Sequence, residues 1–276
     1  MKNKVISFPY LVWALVFTLI PLLLIFYYGF TVELESGQII FSTENFVKFF
    51  SNSAYTNALI RSLWMAALAT FICLIVGYPV AYILAMSTYK RKGLLLLLLV
   101  IPMWMNLLLR TYAWVTILDD TGLINTFLGK FGIKPIQFMY NQGSIVFAMV
   151  YNFLPFMILP INSVLSKMDT SVFEAAHDLG ANKMKVFTKV TLPLSVPGIF
   201  SGITMVFMPA VTTFAITDIL SGGKNDLIGN IVQRQFREAF NWHYGATISI
   251  ILMVLIVISI IVSSKYESED KGGGLF

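Results

Sequence analysis

One cysteine, Cys73, and two histidines, His177 and His243, are all the thiol and imidazole chemistry in this 276-residue chain. An intrachain disulfide is therefore impossible, and inside an apolar run Cys73 behaves as a small hydrophobic side chain. There is no H-E-x-x-H metal motif and no G-x-x-x-x-G-K-[ST] loop to cradle nucleotide phosphates. Charge is scarce as well: only 12% of residues are charged, against 57% hydrophobic. A soluble domain carries about 25% charged residues, so a water-soluble globule is excluded.

Long apolar runs fill the space that charge leaves. Six of them reach the ~20 residues needed to cross a bilayer: 8–30, 58–86, 94–118, 144–165, 194–220 and 244–263. Their periodicity is not amphipathic enough for a soluble core, and a helix satisfies its own backbone in lipid. The sequence thus predicts an all-α integral membrane protein with six transmembrane helices. The first run follows Lys2 and Lys4 as a signal peptide would. It exceeds an apolar signal core of ~7–15 residues and lacks a small-residue cleavage site, so it reads as a retained anchor.

Basic residues set the expected orientation. Lys2, Lys4, Lys90, Arg91, Lys92, Lys167, Lys183, Lys185, Lys189, Lys265 and Lys271 fall on one side. The opposite, longer loops hold Lys48, Lys130, Lys134, Lys224, Arg234 and Arg237. Both termini are therefore expected in the cytoplasm of a cell with a bacterial-type plasma membrane. The net charge of +5 follows from this asymmetry. Membrane lipid is then the expected partner of the basic residues, and nucleic acid is not.

Residues 1–57 read as an anchor followed by an external polar segment with Glu33, Glu35 and Glu44, 58–264 as the core, and 265–276 as a cytoplasmic tail. The tail, rich in Glu, Asp and Gly, is expected to be disordered. Gly122, Gly129, Gly132 and Pro135 predict turns and one short helix in the loop 119–143. The stretch Leu227 to Val232 is apolar enough to dip back against the membrane domain.

The polar loop after the fourth run contains Glu174-Ala175-Ala176-His177-Asp178-Leu179-Gly180, and then Val190-Thr191-Leu192-Pro193. Ser171 and Glu174 have the spacing of a capping box, Ala175 and Ala176 favour helix and leave a low surface, and Gly180 suits a left-handed helix stop. Asn182 is placed to cap a second short helix, which Pro193 would end. Two short helices at an angle along the cytoplasmic surface follow, and by mechanism alone they are either a plain surface pair or a docking element.

As E-A-A-x3-G-x9-[IV]-x-L-P, this loop resembles the coupling loop of the membrane subunits of ABC importers, Val190 for Ile being the one departure. The resemblance implies a type I ABC importer permease fold, a five-helix core plus an N-terminal helix. It also implies a separate homodimeric ATPase docked on Glu174, Ala175, Ala176, Asp178, Gly180, Leu192 and Pro193, a second permease subunit and an external substrate-binding protein. No cofactor, metal site or catalytic residue is implied.

The run Arg110-Thr111-Tyr112-Ala113-Trp114 is similar to the corresponding segment of spermidine/putrescine importer permeases, which narrows the expected cargo to polyamines. A polyamine needs carboxylates for its ammonium groups and aromatic faces for its charge and methylenes. Asp119, Asp120 and Asp218 with Tyr112, Trp114 and Tyr151 supply those types. On one continuous helix Trp104, Leu108, Tyr112 and Asp119 would share a stripe, with Arg110 facing about 160° away from Tyr112. If the fifth run is straight, Asp218 sits at the outer mouth, ~37 Å from Pro193. There it either pairs with Arg110 or Lys224 or acts on substrate. Asn152 reads as an interhelical tie or a ligand. Pro197, Gly198, Gly202 and Pro209 weaken the fifth helix, with Thr212 and Thr213 placed to satisfy the freed groups.

Other classes fit less well. The two histidines lie in loops on opposite sides, so a Ser–His or metal-dependent intramembrane enzyme is not supported. An ion-coupled secondary transporter would bring an inverted repeat and buried carboxylates. A permease of the same fold for an anion or a metal complex stays open.

Overall fold

The computed structural model describes residues 3–34, 36–87 and 91–268. Lys2, Glu35, Lys90, Lys271 and the tail from residue 269 onward lie outside the described residues. The first span joins α1 (Asn3–Ala14), a π-helical turn (Leu15–Leu19) and α2 (Ile20–Gly29). The polar segment after it is ordered. β1 (Thr31–Glu33) pairs antiparallel with β2 (Ile39–Phe41), and the short helix α3 (Glu44–Ser51) buries Asn45 and Phe49.

Helix α4 (Ser53–Met86) is capped by Asn52, whose side-chain oxygen accepts the Ala54 N–H at 2.9 Å. The third span differs from the straight helix expected. It consists of α5 (Lys92–Val100), a 3₁₀ turn (Ile101–Trp104) and α6 (Leu107–Leu118), and the arms Lys92–Trp104 and Leu107–Gly129 bend by 93°. Pro102 lacks an N–H, Met105 is extended (ψ 148°), and Asn106 restarts the helix by accepting the Leu108 N–H at 2.8 Å. The expected stripe is therefore broken. Trp104 precedes the bend and Asp119 lies beyond α6, leaving only Leu108 and Tyr112 on one helix face.

The chain continues through α7 (Leu123–Gly129), α8 (Gln142–Leu165), α9 (Thr170–Asp178) and α10 (Lys183–Val186). A π-helical turn (Phe187–Thr191) leads into α11 (Leu192–Thr212), followed by α12 (Ala215–Ser221), α13 (Ile228–Arg237) and α14 (Trp242–Ser268). Among the described residues, five helices are long and apolar enough to span a bilayer, and six if the bent pair counts as one span. The last helix reaches Ser268, so the start of the expected tail is helical.

The fifth span also departs from expectation at both ends. It runs unbroken from Lys183 to Thr212, so Pro193 does not stop it. The π turn just before Pro193 shifts the bonding register, with the Leu192 N–H reaching the Phe187 carbonyl, so the proline enters where the ladder is already irregular. At its C-terminal end the helix stops at Thr212, because Thr213 is extended (ψ 138°). The Thr212 hydroxyl donates to the Met208 carbonyl at 3.1 Å. Asp218 therefore sits on α12, not on a straight extension of the span.

At the centre, α8 packs between α4 and α11. A Cβ at Gly202 would lie 2.7 Å from the Met157 sulfur and 3.2 Å from the Met157 carbonyl oxygen, so glycine lets α11 cross α8 closely without displacing Met157. Asn162 donates across to the Ala81 carbonyl at 3.2 Å and ties α8 to α4. The first span lies outside this core against α14, where the Thr247 hydroxyl donates to the Gly29 carbonyl at 2.9 Å.

Candidate functional site: the docking loop and the aromatic wall

The helix bearing Glu174 begins two residues earlier than the sequence suggests. Its N-cap is Asp169, whose carboxylate accepts the Ser171 N–H at 3.0 Å, rather than Ser171 itself. A carboxylate caps more strongly than a hydroxyl at this end of the helix dipole. That N–H also holds the Asp169 pKa below its ordinary value. The cap is thus in place above the usual carboxylate range near pH 4 and is lost as pH falls through the depressed pKa. Glu174, released from capping, is exposed on α9.

Helix α9 stops as expected. Gly180 is left-handed (φ +76°), the Ala181 N–H reaches the Ala176 carbonyl at 3.0 Å, and the Gly180 N–H reaches that of His177 at 2.9 Å. These two bonds make a Schellman stop. His177 adds a ring-nitrogen contact to the Ala181 carbonyl at 3.2 Å. Nothing lies within 4 Å of a Cβ at Gly180, so backbone conformation alone demands glycine. We predict that Gly180→Val costs roughly 1–2 kcal/mol of local strain and lowers transport-linked ATP hydrolysis without expelling the chain from the membrane. Unchanged stimulation of hydrolysis in reconstituted complexes would contradict this.

Asn182 caps α10 through the Lys185 N–H at 2.9 Å, but α10 is the first turn of the fifth span and not a free surface helix. Phe187, the first residue of the π turn, sits edge-on to Tyr78 and Tyr82 of α4, 5.9 and 5.7 Å between centroids. The Tyr78 hydroxyl meets that of Ser195 at 2.9 Å. The loop is thereby fastened to the membrane core directly beneath it. Sequence reasoning passed over Leu179, which is 88% exposed between Asp178 and Gly180. Its signal was an isolated large apolar residue in a polar loop.

The pathway candidates are only partly brought together. Trp114 packs edge-on against Phe147 (4.7 Å) and Tyr151 (5.2 Å) of α8, forming an aromatic wall. Trp114 and Phe147 line an apolar cavity of about 400 Å³ with Leu118, Ile124 and Phe138. Tyr112 faces the other way and is exposed. The carboxylates Asp119, Asp120 and Asp218 do not line this cavity. Asp119 accepts the Thr121 hydroxyl at 3.0 Å, and Asp120 is exposed.

Asp218 pairs with neither Arg110 nor Lys224. It accepts a hydrogen bond from the Asn230 side chain, because the break at Thr213 turns α12 toward α13. Asn230 was not foreseen. Its amide also donates to the Phe214 carbonyl at 3.1 Å and its oxygen accepts the Leu227 N–H at 3.0 Å. As expected, this stretch returns to the core, with the Ile228 N–H donating to Ser62 at 2.8 Å. Lys224 lies over the Tyr140 ring. Arg234 takes Asp226 in a two-pronged pair (2.5 and 2.8 Å) that raises its pKa.

Asn152 is no interhelical tie. Only 2% exposed, it donates to the Ala148 carbonyl of its own helix at 2.8 Å, and its side-chain oxygen has no partner among the described residues. The tie falls instead to Asn162, nearly three turns further along α8.

The chain matches the family described as "binding-protein-dependent transport system inner membrane component" over residues 2–266. It is 36% identical over 254 residues to the spermidine/putrescine transport system permease protein PotB of Escherichia coli (strain K12), covering 91% of this chain and 92% of that protein. The PotB of Haemophilus influenzae is 39% identical over 254 residues, with 91% and 88% covered. Among solved structures, a bacterial ABC transporter involved in the import of the acidic polysaccharide alginate aligns with a TM-score of 0.80 at 15% identity. That alignment covers 96% of this chain and 95% of the other. At that identity the likeness concerns the fold alone, and a fold serving an acidic polymer does not set the charge of the solute.

Proposed function

The chain belongs to the family of binding-protein-dependent transport system inner membrane components, and from that premise we propose that it forms half of a translocation pathway for linear polyamines. It is a multi-pass permease subunit of an ABC importer and a transport component, not an enzyme. Both termini face the cytoplasm in this reading. A homodimeric ATPase docks on Glu174, Ala175, Ala176, Asp178, Gly180, Leu192 and Pro193. A second permease completes the pathway, and an external binding protein delivers the solute.

The observation that carries the polyamine assignment is the 36–39% identity to spermidine/putrescine permeases across 254 residues. The aromatic wall agrees with it, since Trp114 and Tyr151 offer faces to ammonium groups and methylenes. Tyr112, exposed on the opposite side of α6, faces away from this chain's core, where the second permease would complete the route. Three basic side chains, Arg61, Lys224 and Arg234, around one outer pocket favour an anion instead, but Asp226 in the same pocket neutralises Arg234.

A desolvated cation over an aromatic ring gains ~2 kcal/mol, whereas an exposed carboxylate contributes less than ~1 kcal/mol. The Asp218 carboxylate is partly engaged by Asn230 already. Tyr112→Ala should therefore reduce spermidine uptake at least as much as Asp218→Asn does. Uptake of radiolabelled spermidine into proteoliposomes holding the whole complex tests both statements. Transport of an anion or a neutral sugar, with spermidine and putrescine excluded, would sink the polyamine reading and leave the permease assignment standing.

A further inference from the structure

We propose that the segment from Leu123 to Ile136 is an in-plane anchor, seated in the headgroup and upper acyl region of the bilayer on the side opposite the docking loop. Leu123 and Phe127 lie one turn apart on the same face of α7, and Phe131 follows with its ring 5.2 Å from that of Phe127. These three side chains are 67%, 60% and 69% exposed, and Ile133 and Ile136 beside them are exposed too. A preformed apolar patch of this kind is not left to water.

Three observations point to lipid as the occupant. The segment cannot rise far from the membrane, because Leu123 follows α6 closely and Asn125 clips the loop shut. Its amide donates to the carbonyls of Asp119 (3.1 Å) and Ile136 (2.9 Å), while its oxygen accepts the Ile136 N–H (2.9 Å). Its depth is set next, by the start of α8 at Gln142. That single helix of 24 residues, ~36 Å long, separates it from α9 on the other side. Finally, Lys130 and Lys134 flank the aromatic end and are exposed, placed for lipid phosphates while the apolar groups sink. Asp119 and Asp120 stand at the far end, by α6. Pinned in this way, the segment would hold the outer end of α6, with Tyr112 and Trp114, at constant depth while the cytoplasmic end moves.

The proposal goes beyond the transport reading and needs only that the chain crosses a bilayer, so loss of spermidine uptake would leave it untouched. The test places spin labels on Phe127→Cys, Phe131→Cys and Lys130→Cys, each in the full chain with Cys73→Ala, in nanodiscs of phosphatidylcholine and phosphatidylglycerol. Oxygen concentrates in lipid and a nickel chelate stays in water. The ratio of oxygen to nickel collisions is expected to be at least about fivefold higher at 127 and 131 than at 130. A ratio no higher than at 130 means contact with water and overturns the proposal. Slow collision with both reagents means burial against another protein subunit and overturns it equally. Because the cysteine variants remove a phenylalanine, Phe127→Trp gives a second measurement with the ring retained. Lipids brominated near the headgroup should quench its added emission relative to the five native tryptophans, and absence of that quenching contradicts the anchor.

Discussion

Ala176→Arg is expected to reduce transport-linked ATP hydrolysis by about tenfold or more, at least ~1.4 kcal/mol of lost docking free energy, while the chain still inserts. Ala176 is half-buried on the loop helix α9, and its carbonyl already serves the helix stop through Ala181. Arginine is nearly as good a helix former as alanine, so α9 itself should survive. In the proposed orientation this loop is cytoplasmic, and extra positive charge there does not oppose insertion. What the long side chain removes is the low surface that lets another protein approach closely, and a charge buried there without a partner adds its own penalty. Hydrolysis should be measured in proteoliposomes with and without loaded binding protein, alongside the amount of chain in the membrane fraction. Normal stimulation of the ATPase would falsify the docking assignment.

Gly229→Leu should have the largest effect on the folded chain. A Cβ there would lie 2.6 Å from the Thr212 carbonyl oxygen and 2.8 Å from that of Thr213. Both are backbone atoms at the broken end of the fifth span, so no rotamer change relieves the clash. Helix α13 would have to move away from α11. The bonds from Ile228 to Ser62 and from Asn230 to Phe214 and Asp218 would go with it. Overpacking costs ~1–3 kcal/mol and each lost buried hydrogen bond ~1 kcal/mol, so a loss of at least ~3 kcal/mol is expected. Thermal unfolding followed by size-exclusion chromatography should show a lowered midpoint, with Gly229→Ala intermediate. A wild-type midpoint for Gly229→Leu would mean that this contact does not hold the outer end together.

Much of the loop around Glu174 could be read in advance because helix caps and stops are local. Gly180 and Asn182 perform the roles their side chains suggest, since each acts on backbone groups within a few residues. The capping box failed for a local reason too: Asp169, two residues earlier, competes with Ser171 for the same task and prevails. The aromatic wall was legible as residue types but not as a contact, because Trp114 and Tyr151 are far apart in sequence and meet only where α6 lies against α8.

Hydropathy determined by itself that the chain belongs in a bilayer and which runs are long and apolar enough to span it, because lipid offers no hydrogen bonds and each span must satisfy its own backbone. Tertiary structure alone decided where those spans break and which way the polar groups turn. The kink before Asn106, the unbroken helix through Pro193 and the turn at Thr213 each depend on where a displaced carbonyl or N–H finds a partner. So does the choice of Asn230 over a basic residue for Asp218. Some of those partners come from the next turn and others from a different helix, and sequence spacing carries no record of the second kind.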